Sequence, residues 1–128
     1  MTLRSVEPQL FVADVVAAVA YYVDRLGFEA RFVHGEPAFY AQVARDGLAL
    51  NLRHVDEPVI PPELRDREHL LAATFGLASA ADLSALADEF AARGAEIAEP
   101  LTRQPWGSDT VTVRDADGNL LLFAAPSD

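Results

Sequence analysis

The chain has 128 residues, and its 10 cationic side chains, all of them Arg, stand against 20 Asp and Glu, for a formal charge of −10 at pH 7. That length is one domain, long enough to bury a core without covalent staples. The absence of Cys removes disulfide scaffolds, thiol nucleophiles, Cys-ligated zinc and iron–sulfur clusters together. Nucleic-acid affinity rests on neutralising phosphates with Lys and Arg, so this balance argues against a nucleic-acid partner. Residues 1–10 lack a basic segment followed by an apolar one, and no window reaches the roughly 20 apolar residues of a membrane span. The sequence therefore predicts a cytoplasmic protein with no membrane partner.

Residues 8–13 (PQLFVA) are short and apolar and run into Asp14, which predicts a strand followed by a helix N-cap. Val15, Val19, Tyr22 and Leu26 then fall on one helical face, with Gly27 as the C-cap. Strands are expected over 29–33, 38–44 and 48–54, the last two joined by Arg45-Asp46-Gly47, a strong hairpin signal. The polar, Pro-rich stretch 56–68 reads as a linker with a solvated charged face.

The second half repeats the first. Residues 70–78 predict a strand, Ser79 with Asp82 starts a helix whose buried face is Leu83, Leu86, Ala87 and Phe90, and Gly94 closes it. Strands follow over 96–101, 110–114 and 120–125. Between the copies, 68 residues separate Asp14 from Asp82 and 67 separate Gly27 from Gly94, whereas 71 separate Gly47 from Gly118. The additional residues lie in the stretch that holds the single Trp, in Gln104-Pro105-Trp106-Gly107. The repeat implies an α+β fold of two βαβββ modules in a single domain: residues 1–55, the linker 56–68, and residues 69–128. One helix per module covers only one face of its sheet, so the other face must meet a second module, a subunit or a ligand.

Phe11-Val12-Ala13-Asp14 leading to Ala20-Tyr21-Tyr22 and Leu26-Gly27-Phe28, with the closing Asp115-Ala116-Asp117-Gly118-Asn119-Leu120, resembles the glyoxalase/bleomycin resistance protein/extradiol dioxygenase superfamily over essentially the whole chain. The resemblance implies the vicinal oxygen chelate fold, in which the two modules form a cupped, mixed eight-stranded sheet. In the superfamily's metalloenzymes the cup holds a divalent metal between the first and last strands of each module. The matching positions here are Glu7, Asn51, Leu122 and the neighbourhood of Phe75. Such a metal wants three or four converging N or O donors, so the metal site reads as lost, with no metal ligand, catalytic residue or cofactor expected.

Pro105-Trp106-Gly107 is similar to the metal-free, bleomycin-resistance branch, whose Trp stacks on a flat part of the drug; Tyr40, ahead of Arg45-Asp46, matches that branch's second aromatic, and Phe32 lies on the preceding strand. With position 122 facing the cup, as the resemblance implies, strand alternation places Leu120, Leu122 and Ala124 on one wall and Ala49, Asn51 and Arg53 on the other, an apolar wall facing one with two polar groups. The resulting expectation is a homodimer that binds a small, drug-like organic molecule by stacking on Trp106, Tyr40 and Phe32, orienting on Asn51 and Arg53, and burial against Leu122, with antibiotic sequestration as the role. The acidic charge is spread over turns, helix faces and the linker, a long-range field that favours a cationic ligand. The alternative is a metal-dependent lyase, isomerase or dioxygenase with a non-standard site built from His54, His69 and Glu7 or Glu68. A third reading is an interaction module whose sheet faces serve only dimerisation.

Overall fold

The computed structural model describes all 128 residues. In chain order the elements are β1 (Gln9–Val12), α1 (Val15–Leu26), β2 (Glu29–His34), β3 (Tyr40–Arg45), β4 (Leu48–His54), α2 (Pro62–Glu68), β5 (Leu71–Gly76), α3 (Ala80–Arg93), β6 (Glu96–Arg103), β7 (Ser108–Arg114) and β8 (Leu120–Pro126). The two βαβββ modules are as the repeat implies. One element was not expected: Pro62–Glu68, inside the stretch 56–68 read as a linker, is helical, and it buries none of its residues. Pro at its first turn presets the helical φ, and no apolar face was there to reveal it.

The caps form as the residue types dictate. The Asp14 carboxylate accepts the Ala17 N–H at 3.0 Å, and Gly27 takes the left-handed conformation at φ 73°. Ser79 accepts the Asp82 N–H at 3.1 Å, and Gly94 closes α3 at φ 77°. The buried stripe of α1 is Val15, Ala18, Tyr22 and Leu26; that of α3 is Leu83 and Phe90, with Val19, Leu86 and Ala87 half-buried beside them.

Hydrogen bonding divides the eight strands into two sheets of four, ordered β1-β4-β3-β2 and β5-β8-β7-β6. In each, the module's first strand pairs in parallel with its last, and the remaining pairs are antiparallel. A single core unites them: Leu50 and Leu52, Val111 and Val113, and Leu121 and Phe123 turn inward onto α1 and α3. Phe28, edge-on to Phe75, bridges the modules there, and within the second module Phe90 stands edge-on to Phe123. Because the helices occupy the space between the sheets, the opposite face of each sheet points away from its sister module. One chain therefore carries both walls of the expected cup but does not bring them together. No helix is long and apolar enough to cross a membrane.

Candidate binding faces

On the first sheet the uncovered face is fixed by register. Gln9, Asn51, Gln42 and Phe32 form one row across the strands, and Phe11, Arg53, Tyr40 and His34 form the next. Phe32 and Tyr40 stack with ring centroids 6.2 Å apart and 21° between planes. The Tyr40 hydroxyl donates to Gln9 Oε1 at 2.9 Å, which fixes the ring's long axis. Asn51 is 5% exposed and belongs to a network: Gln42 Nε2 donates to Asn51 Oδ1 at 2.9 Å, and both amides donate to Glu7 Oε1 at 3.2 Å. Arg53 is exposed at the edge of this face. The structure thus brings Tyr40, Phe32, Asn51 and Arg53 onto one surface. Gln42, absent from the sequence reading, follows from alternation along β3, since it shares the parity of Tyr40.

The second sheet's uncovered face forms a hollow of about 540 Å³. Trp106, 71% exposed, stands at its edge, with Leu122 and Ala124 beneath. This wall is more polar than the expected apolar one, a correction that comes from β5, β6, β7 and the β6–β7 connection: Thr74, Thr110, Thr112, Glu99 and Gln104 line it beside Leu122. Gln104 Nε2 donates to Thr110 Oγ1 at 3.0 Å and reaches Glu99 Oε1 at 3.4 Å. A buried threonine hydroxyl with a local partner tolerates an apolar strand environment, which is why β-propensity alone did not reveal the polarity.

The donor set does not fit a metal. On the first wall the Glu7 carboxylate oxygen nearest the ligand column already accepts two amide N–H groups, and on the second wall the matching positions offer Leu122, Thr74 and Phe75. The alternative cluster is not assembled either. His54 uses both ring nitrogens, Nδ1 2.6 Å from Ala13 O and Nε2 2.9 Å from Asp56 Oδ1, and the hydrogen bond to Asp56 raises its pKa. His69 lines the second sheet's hollow, and no group of three or more His, Asp or Glu side chains converges anywhere in the chain.

Residues 4–123 match the family described as Glyoxalase/Bleomycin resistance protein/Dioxygenase superfamily. No curated protein matches the chain. Among solved structures, the chain is similar to a bleomycin-binding protein of Streptomyces verticillus complexed with copper(II)-bleomycin, at 25% identity, 98% coverage of both chains and a TM-score of 0.71. TioX from Micromonospora sp. ML1 is similar at 22% identity, covering 96% of this chain and 98% of that one, with a TM-score of 0.74. A lactoylglutathione lyase from Agrobacterium tumefaciens is similar at 21% identity, covering 95% and 92%, with a TM-score of 0.69.

Proposed function

The chain belongs to the glyoxalase/bleomycin resistance protein/dioxygenase superfamily, and from that premise we propose that it is a reversible, non-covalent binder of a flat, drug-like organic molecule. The observation that carries this reading is Trp106, 71% exposed at the edge of a hollow of about 540 Å³. An indole held that far out of the core, over apolar Leu122 and a row of hydroxyl and amide groups, is placed to stack on a planar ligand while polar neighbours orient it. The first sheet offers the complementary half, with stacked Phe32 and Tyr40 and the oriented amides of Gln42 and Asn51.

The two halves meet in a homodimer, the first-sheet face of one copy lying over the second-sheet face of the other. Two-fold symmetry then generates two equivalent grooves. The charge of −10 favours a cationic ligand through its field. Held this way in the cytoplasm, an antibiotic is withheld from its target, and sequestration is the role we assign. The likeness to a bleomycin-binding protein supports bleomycin as the first probe.

The test is a titration with bleomycin and with other flat cationic antibiotics, read by the fluorescence of the single Trp and by thermal melting. Saturable quenching and a raised melting temperature are expected, since ligand at 100 times its dissociation constant adds about 2.7 kcal/mol. Quenching by none of the panel, or a protein that stays monomeric in sedimentation at every concentration, overturns the reading.

A further inference from the structure

The modules meet along two seams related by the internal repeat, and the seams are not closed alike. In one, the turn between β7 and β8, Asp115 to Asn119, reaches over to the start of the first module. There Asp117 Oδ1 accepts the Ala13 N–H at 2.8 Å and Asn119 Nδ2 donates to Phe11 O at 3.2 Å. The hollow left beside this seam is about 120 Å³. In the other seam the turn between β3 and β4 is only Asp46 and Gly47. Arg45 spans the gap with two 2.8 Å hydrogen bonds to Glu89, but nothing from so short a turn reaches the β5–α3 corner.

What remains is a cleft of about 440 Å³, within the range of small-molecule sites. Its floor is the aromatic cluster Phe28, Phe75 and Phe123, in which Phe75 and Phe123 stack 4.8 Å apart; Leu77 and Leu86 stand at its sides. The charge at its rim is one-sided. Glu89 is satisfied by Arg45 and by Arg93 Nε at 2.8 Å. Asp46, by contrast, has only a 3.9 Å contact with Arg45 Nε, and the Asp82 carboxylate has no ion pair; only its backbone N–H is engaged, by Ser79.

We propose that this inter-module cleft is a second binding site, taking a small aromatic amine in its ammonium form. The ring lies on the phenylalanine floor and the ammonium faces Asp46 and Asp82, whose Coulomb attraction favours a cation. The site is on the helix side of both sheets: Phe75 and Phe123 line it, while their neighbours Thr74 and Leu122 line the hollow at Trp106. It is thus separate from the grooves assigned above and does not depend on that assignment.

The probes are 2-phenylethylammonium and its neutral analogue 2-phenylethanol, titrated into the ¹⁵N-labelled full chain and followed by amide and indole resonances. Saturable shifts are expected for Leu48 and for residues 76–86, with the Trp106 indole unmoved and the amine bound more tightly than the alcohol. Replacing Asp46→Asn and Asp82→Asn together, both at exposed positions, weakens the amine by about fivefold, the scale of two partly exposed ion pairs, and leaves the alcohol unchanged. Ala85→Phe, at an exposed position of α3 that lines the cleft, blocks both probes while α3 still folds. Shifts centred on Trp106, equal affinity for amine and alcohol, shifts that do not saturate, or an Ala85→Phe protein that binds as before each overturns the proposal.

Discussion

The Tyr22 hydroxyl donates to Asp115 Oδ2 at 2.9 Å with Tyr22 fully buried and Asp115 2% exposed, so α1 of one module is tied to the closing turn of the other. The same carboxylate accepts the backbone N–H groups of Asp117 and Asn119 and the Asn119 side-chain amide, each at 2.9 Å. Burial pushes the Asp115 carboxyl up from its ordinary value, and these hydrogen bonds act against that push. Tyr22→Phe keeps the ring's packing against Phe28 and removes one donor to a buried carboxylate. A loss of about 1.5 to 3 kcal/mol is expected for a hydrogen bond to a charged group. Thermal melting at pH 7 checks it; an unchanged melting temperature would mean that the hydroxyl carries none of the inter-module coupling.

That tie also marks where the sequence stopped being legible. Asp14, Gly27, Ser79 and Gly94 announced both helices, because caps are local chemistry and their partners lie within a few residues. The repeat announced the modules. Neither could say how the modules face each other, since that depends on contacts between residues as far apart as Tyr22 and Asp115. The site was half legible for the same reason. The resemblance, extended by alternation, put Asn51 and Leu122 on the faces of the expected cup, but the Glu7–Gln42–Asn51 network joins β3 and β4 to the segment before β1 and needed the register. The cup's walls lie on separate sheets, a fact no local pattern encodes.

The second seam gives a pH dependence. Arg45, by its paired hydrogen bonds, holds the Glu89 carboxyl below its ordinary value, and Arg93 adds to the effect. A depressed carboxyl contributes stability above its unfolded value, near 4.5, and loses it as pH falls through the lower folded value. Glu89→Gln is therefore expected to cost about 1 kcal/mol at pH 7, a modest figure because the pair is partly exposed. The gap between the two proteins should narrow as pH falls below about 4.5 and close once Glu89 is protonated in the folded state as well. Melting curves of both proteins from pH 7 to pH 3 read it directly, and a gap that stays constant across that range refutes the ion-pair account.

Gly27 and Gly47 separate two costs that usually come together. Both are left-handed, at φ 73° and 79°. A Cβ on Gly47 meets nothing within 4 Å, whereas one on Gly27 falls 2.6 Å from Arg45 Nη1 and 2.9 Å from Glu89 Oε2. Gly47→Ala is expected to lose only the conformational term, about 1 to 2 kcal/mol. Gly27→Ala loses that and also forces the Arg45–Glu89–Arg93 cluster apart, so it should unfold at lower denaturant. Equal denaturation midpoints for the two variants would show that the cluster shifts without cost.

Trp106 and Tyr40 test the groove and its assembly together. With its side chain 71% exposed, Trp106→Ala should leave stability within about 0.5 kcal/mol of the parent, as surface substitutions do. Ligand affinity, in contrast, should fall by about 0.5 to 2 kcal/mol, the worth of one stacking or cation–π contact. Tyr40→Ala should weaken binding on the same scale, by removing the ring that stacks on Phe32. The decisive measurement mixes the two variants after denaturation and refolding. If each groove takes Tyr40 from one copy and Trp106 from the other, a mixed dimer carries one groove with both aromatics and one with neither. Random pairing makes about half the dimers mixed, so about a quarter of all grooves regain the parent affinity. A groove built within one chain predicts no recovery at any mixing ratio, and calorimetric titration of the mixture separates the two outcomes by the number of tight sites.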